Sequence, residues 1–204
     1  MSVRDTSIDP RLLESARKEF MERGFLKAEL KTICDNAGVT TGAVYKRYKG
    51  KEELFCAVVE EAVQRFREFV DERSDVDFSS MTDEEVKNTW IMNEEFTLQV
   101  FKMIWDYRKE FAFLLEKSAG TIYADYRDNF SSQMAESYMK YYEEARNRGI
   151  AKADISKEEM HVLCTSFWTS IYEPFSHGMT WKEIESHCKV LCRFFDWANA
   201  IGLK

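Results

Sequence analysis

The sequence predicts an all-α fold, with a small N-terminal helical domain followed by a larger helical one. Apolar residues recur at three- and four-residue steps along nearly all of its 204 residues, the period of helices with one buried face. Two prolines and eight glycines leave little to interrupt long helices. Strand-like alternation never extends beyond a few residues, and the sequence has no repeat or low-complexity tract. With 45% hydrophobic and 32% charged residues, the balance is that of a folded globular chain, not a disordered one.

The first helix is expected on Ile8, Leu12, Leu13, Ala16 and Phe20, opened by Asp9 and Pro10 and stopped by Gly24. Leu30, Ile33, Cys34 and Ala37 define a short second helix, which Gly38 breaks. Val39 then packs inward, and Thr40 or Thr41 caps a third helix running to Arg47. Gly50 closes that piece. Lys51-Glu52-Glu53 opens a long fourth helix on Leu54, Phe55, Val58, Val59, Ala62, Phe66 and Val70. The polar stretch DERSDVDFSSMTDEE, residues 71–85, reads as a loop. Further helices are expected at 82–104, 106–118, 122–148, 156–177 and 180–201. Thr82 with Glu85, and Ser156 with Glu159, match the S/T-x-x-E capping box, and Gly149 marks a stop.

Five cysteines, Cys34, Cys56, Cys164, Cys188 and Cys192, all fall in helical segments and suit reduced thiols used as small core residues. No apolar stretch follows Met1 and no run of eighteen apolar residues occurs. Secretion and membrane spanning are therefore not expected, and the cytoplasm is the expected compartment.

Charge is unevenly placed. The net charge is −7, yet residues 1–55 carry net +2 and the remainder net −9. Within AGVTTGAVYKRYKGKEELF, residues 37–55, the window from Gly38 to Lys51 holds Lys46, Arg47, Lys49 and Lys51 and no acid. Such a window points to an N-terminal unit that meets a polyanion. Cys34, Gly38 and Val44 have the small, glycine and apolar spacing of a helix-turn-helix: the glycine turns the chain and the small residue lets two helices approach.

The same stretch resembles the DNA-binding signature of the TetR/AcrR family of transcriptional regulators. The matching features are the AGV turn, the hydroxyl residues after it, the Gly-x-x-Tyr helix and the Lys-Glu-x-Leu start of the next helix. The resemblance runs from Ile8 to Val59. It implies a helix-turn-helix DNA-binding domain at 1–52 and a helical effector-binding and dimerisation domain at 53–204. It implies Thr41, Gly42 and Tyr45 as base readers, and Tyr45, Arg47 and Lys51 at or near phosphate. Thr40 at the same helix end and Lys46 complete the candidate DNA-binding set. Lysine and arginine contacts to phosphate supply sequence-independent affinity, while threonine at a base edge adds modest selectivity. Where the family usually has hydroxyl residues before its second helix, this chain has Ala28 and Glu29, leaving Lys27 or Lys31 as substitute phosphate contacts. Tyr48 is expected in the core.

One helix-turn-helix reads too few bases alone, and pairing two is the usual remedy. Ile184, Cys188, Leu191, Phe195 and Ala198, extended by Val190, Phe194 and Trp197, form one apolar stripe; Met160, Leu163, Cys164, Phe167 and Ile171 form another. Either these stripes bury a homodimer's last two helices, as the resemblance implies, or they belong to the subunit's own core. The middle of the chain is rich in aromatic residues, as a cavity for a mostly apolar small molecule would be. The resemblance implies such an effector, which releases a palindromic double-stranded DNA operator from a repressor. Trp105, Tyr123, Tyr126, Trp168 and Tyr172 are the candidate lining residues.

Other classes remain open. His161 with Cys164, and His187 with Cys188 and Cys192, have spacings a metal- or thiol-responsive regulator could use. A helical protein-interaction module without DNA activity is a further alternative. No catalytic residue, metal ligand or cofactor is assigned: the chain has no phosphate-binding glycine loop, G-x-S-x-G or H-E-x-x-H. Glu173 and His177 about Pro174 are read as a helix feature.

Overall fold

The computed structural model describes residues 8–74 and 76–203, without the side chains of Ile8 and Arg73. Ile8, counted in the first apolar stripe, thus contributes only backbone to the description. The helices are α1 (Ile8–Lys27), α2 (Leu30–Ala37), α3 (Thr41–Tyr45), α4 (Lys51–Ser74), α5 (Asp83–Asn88) and α6 (Glu94–Asp106), then α7 (Arg108–Ala112), α8 (Tyr126–Asn147), α9 (Lys157–Ser176), α10 (Trp181–Phe194) and α11 (Trp197–Ala200). A 3-10 turn lies at Phe78–Ser80 and a π turn at Phe113–Lys117. The fold is all-α. The chain divides into two compact units, the first running to Arg67 and adding Tyr107–Arg127, the second comprising Glu68–Asp106 and the chain from Asp128. These packing units do not coincide with the division by role at residue 52.

The first unit closes around aromatic rings. Leu12, Ala16, Phe20, Ile33, Val44, Leu54, Phe55 and Val59 are fully buried. Phe55 takes the edges of Phe20 and Phe113 at 5.1 and 6.5 Å between ring centres. Each such side chain contributes about 1.5–3 kcal/mol by burial. Phe113 and Leu114 come from the π turn, so three short helices and the start of α4 complete their core with a distant segment. Arg17 on α1 pairs with Glu110 on α7 at 2.9 Å. At Gly24 the backbone takes φ 69° and ψ 167°, breaking α1 where the sequence placed its stop; the chain then resumes one more turn to Lys27.

In the second unit two expected helices are each divided. The helix expected at 82–104 becomes α5 and α6, separated by Thr89–Asn93, where Trp90 turns inward and the Asn93 side chain accepts the Phe96 N–H at 3.0 Å. The helix expected at 180–201 ends at Phe194; Asp196 then caps α11 by accepting the Asn199 N–H at 3.0 Å. The capping boxes at Thr82/Glu85 and Ser156/Glu159 are formed, and a third occurs at Thr180/Glu183. The stretch read as a loop at 71–85 begins with the last turn of α4 and includes the 3-10 turn; Asp75 lies outside the described residues. Arg148 secures it, donating to the carbonyls of Phe78 at 2.6 Å and Met81 at 2.7 Å and pairing with Asp83 at 3.2 Å. Tyr142 does the same for the connection between α8 and α9, donating to the Ala153 carbonyl and accepting the Ile155 N–H.

Gly38 ends α2 with φ 67°, and a Cβ added there would meet nothing closer than Arg11 Nη1 at 3.9 Å. The cost of Gly38→Ala is thus one of backbone conformation, expected at about 1–2 kcal/mol. Urea unfolding of the variant should show that loss with an unchanged slope.

Candidate functional site

The α2–α3 corner is assembled from α1. Ser15 donates to the Ile33 carbonyl at 2.8 Å within the interior. Glu19, only 4% exposed, accepts the Glu29 N–H at 3.1 Å and pairs with Arg23 at 3.3 Å. Its carboxylate supplies the N-terminal cap of α2, since Glu29 makes no side-chain cap of its own. After α2, Gly38 takes the left-handed turn, and the Val39 N–H donates to the Cys34 carbonyl at 3.0 Å. Thr40 caps α3 by accepting the Ala43 N–H at 3.2 Å, and Val44 is the buried anchor of that five-residue helix.

Opposite Val44, α3 and its ends face solvent. Thr40, Thr41, Gly42, Tyr45 and Lys46 are all exposed, Tyr45 by 61%. Lys27, Lys31 and Lys49 are exposed as well, and Tyr48 packs partly buried against the core as expected. Two of the residues assigned at or near phosphate, Arg47 and Lys51, make contacts within the corner. The Arg47 side chain is 8% exposed; its Nε donates to Asp9 Oδ1 at 2.5 Å and its Nη1 to the Ala43 carbonyl at 3.1 Å. Lys51 Nζ donates to the carbonyls of Ala28 at 2.9 Å and Leu26 at 3.3 Å, and stands 4.6 Å over the Phe25 ring. Burial lowers the Lys51 pKa from its ordinary value, partly offset by the charge of Glu19. Both cations therefore bind the corner together instead of being displayed with Lys46.

The second unit contains a cavity of about 560 Å³. Its wall is aromatic, with Trp90, Phe96, Tyr138, Tyr141, Phe167, Trp168 and Trp197, and its polar groups include Asn88, Thr89, Asn93 and Ser137. Of the assigned effector residues only Trp168 lines it. Trp105 packs on Trp181 and Phe175, and the Tyr172 hydroxyl shares a hydrogen bond with Thr169. Tyr123 and Tyr126 belong to the first unit and pack against its core, ring edge to ring face at 6.0 Å. Helical spacing identifies these rings as inward-facing without saying which interior they face.

Residues 12–58 match the family model for bacterial regulatory proteins of the tetR family. Over that stretch the chain is similar to TetR-family regulators. Over 72 residues it is 36% identical to the HTH-type transcriptional regulator UidR of Escherichia coli (strain K12), covering 33% of this chain and 37% of that protein. Over 94 residues it is 29% identical to the HTH-type transcriptional repressor AcnR of Corynebacterium diphtheriae, covering 46% and 48%. The chain thus spans less than half the length of these curated relatives. The fold as a whole is shared with SmeT, the repressor of the Stenotrophomonas maltophilia multidrug efflux pump SmeDEF, at TM-score 0.62 and 17% identity, covering 96% of this chain and 90% of that one. Salmonella enterica GusR has a TM-score of 0.59 at 17% identity, with 97% of each chain covered.

The apolar stripes on α9 and α10 belong largely to the subunit core. Met160, Cys164, Phe167 and Ile171, with Ile184, Cys188 and Leu191, are buried within the second unit. What remains exposed is Val162 on α9 with Val190 and Phe194 on α10, at 61%, 61% and 78%. Trp197, assigned by helical position to the stripe, lies in the cavity wall because α10 stops before it. Cys164 and Cys188 have the environment of core thiols: burial pushes Cys164 up to about 12, and burial with neighbouring Cys192 does the same for Cys188. A thiol held protonated is a poor metal ligand or redox sensor. His177 Nε2, at the C-terminal cap of α9, lies 3.4 Å from the Glu173 carboxylate. The cavity residues Trp90, Tyr138 and Trp197 escaped selection as lining residues; the only signal was their aromatic character, which core rings share.

The split between binding the corner and displaying charge is measurable. Arg47→Ala should lower unfolding stability by about 1–3 kcal/mol, the worth of a charged hydrogen bond in a part-buried setting. Lys46→Ala should remain within about 0.5 kcal/mol of the wild type. Chemical denaturation of both variants would reveal a reversed order if Arg47 were the displayed cation.

Proposed function

We propose that this chain is a TetR-family DNA-binding transcriptional regulator, acting as a repressor: a homodimer holds a palindromic operator and releases it when a small, mostly apolar effector binds. The observation that carries the reading is α3, anchored by Val44 and displaying Thr41, Gly42, Tyr45 and Lys46 to solvent. The displayed groups suit the edges and backbone of duplex DNA: a hydroxyl for base contacts, a glycine for close approach, a ring with a polar tip and a cation. With Lys27, Lys31 and Lys49 also exposed, phosphate attraction does not require Arg47 or Lys51. Those two act as positioning residues for the DNA-facing helix. A regulator of this kind works in the bacterial cytoplasm, beside its DNA. The printed descriptions of AcnR and SmeT as repressors support the same direction of control.

Val162 on α9 and Val190 and Phe194 on α10 are exposed apolar side chains through which a second copy pairs. The cavity of the second unit receives the effector.

Selection from a random duplex pool should recover an inverted repeat with half-sites spaced about one helical turn, roughly 34–36 Å; recovery of no enriched sequence would sink the proposal. On the selected operator, Lys46→Ala should weaken binding to all sequences and lower the salt dependence by about one counterion. Thr41→Ala should instead relax preference at one base pair by about 0.5–1.5 kcal/mol, the net worth of a single neutral hydrogen bond. Phe194→Asp should shift the protein to monomers in sedimentation velocity while leaving its helical circular dichroism intact.

A further inference from the structure

We infer that the cavity of the second unit takes an uncharged, ring-bearing molecule whose oxygen acceptors are read by indole N–H groups. This rests on the reading of that cavity as the effector site and assigns the chemical class of the effector.

The first observation is a set of unused donors. Trp90, Trp168 and Trp197 contribute to the cavity wall, are 3–4% exposed, and each carries a buried indole nitrogen with no hydrogen-bond partner. Trp181, away from the cavity, donates its indole N–H to Glu185 at 3.0 Å. An indole N–H can only donate, and each buried donor left unpaired costs about 1–3 kcal/mol. All three residues line the same cavity, where a lone pair on a carbonyl, ether or hydroxyl oxygen would satisfy such a donor.

The second observation is the arrangement of rings. Trp197 lies 6.3 Å from Trp90 and 5.3 Å from Tyr138, while Trp168 lies 5.4 Å from Phe167, between ring centres. These separations fall in the range for edge-to-face and offset ring contacts, which a further ring on a ligand can join. A volume of about 560 Å³ is that of a site for a drug-sized molecule.

The third observation is charge. Among the described residues that line the cavity, Glu72, exposed to solvent, is the sole ionisable acid or base apart from tyrosine, and no lysine, arginine or histidine is among those described. An anion would be desolvated without a counter-ion and repelled by Glu72. An ammonium group would set donors against donors at the indole wall. A neutral molecule with acceptors meets neither penalty.

Biphenyl-4-carboxamide, biphenyl-4-carboxylate, biphenyl-4-ylmethylammonium and 4-methylbiphenyl share one skeleton and differ in charge and acceptor. Equilibrium dialysis with the full chain at neutral pH should find the carboxamide bound at least about tenfold more tightly than either ion. Trp168→Phe and Trp197→Phe keep a ring and remove the N–H. Each should lower carboxamide affinity about fivefold, the worth of one hydrogen bond, relative to 4-methylbiphenyl. Equal or tighter binding of either ion, binding of none of the four, or equal losses for carboxamide and hydrocarbon would overturn the inference. Operator release is measured separately. Carboxamide binding in this order without any effect on operator affinity refutes the effector reading alone. Release by a charged ligand bound in this cavity would preserve that reading and overturn the assignment of class.

Discussion

Because α3 has only five residues, its own hydrogen bonds do not keep it folded, and what it displays depends on how it is held from behind. Val44 is its anchor in the core, and the left-handed Gly38 sets the direction from which it arrives. Arg47 returns from its far end to Asp9 on α1. Around this helix, Glu19 caps α2 from the side and Lys51 binds the carbonyls that close α1. Charged side chains here do structural work that looks, in the sequence, like surface display. The few that remain outward, Lys46 foremost, are the ones a phosphate backbone can reach.

In the second unit, helix interruptions make the cavity wall. The break at Thr89–Asn93 turns Trp90 inward, and the break at Phe195–Asp196 lets Trp197 leave the register of α10. The two rings end 6.3 Å apart, although more than a hundred residues separate them in the chain. Had either helix continued with its period unbroken, its tryptophan would have followed the helical stripe. Asn93 and Asp196 satisfy the N–H groups at the restarts, which keeps each interruption compatible with a packed interior.

Charge is divided along the chain. The net −9 of residues 56–204 disfavours non-specific adhesion of that part to DNA, while the window from Gly38 to Lys51 contains no acid to repel phosphate. The cavity carries the same economy further, with indole donors and no cation among the described residues of its lining.

The sequence by itself determined the helical class, the positions of α2, α3 and the start of α4, the glycine turn, two capping boxes and the resemblance of its N-terminal stretch to tetR-family regulators. These are local: period, cap and turn chemistry act within a few residues, so neighbours in sequence suffice to specify them. Only the tertiary structure decided that Arg47 and Lys51 are engaged internally, that residues 107–127 join the first unit, and that Trp90 and Trp197 share a wall with Trp168. A basic side chain carries the same code whether it meets a carbonyl or solvent, and an aromatic residue whether it fills a core or lines a cavity. The partner that distinguishes these cases lies tens of residues away, where packing alone brings it.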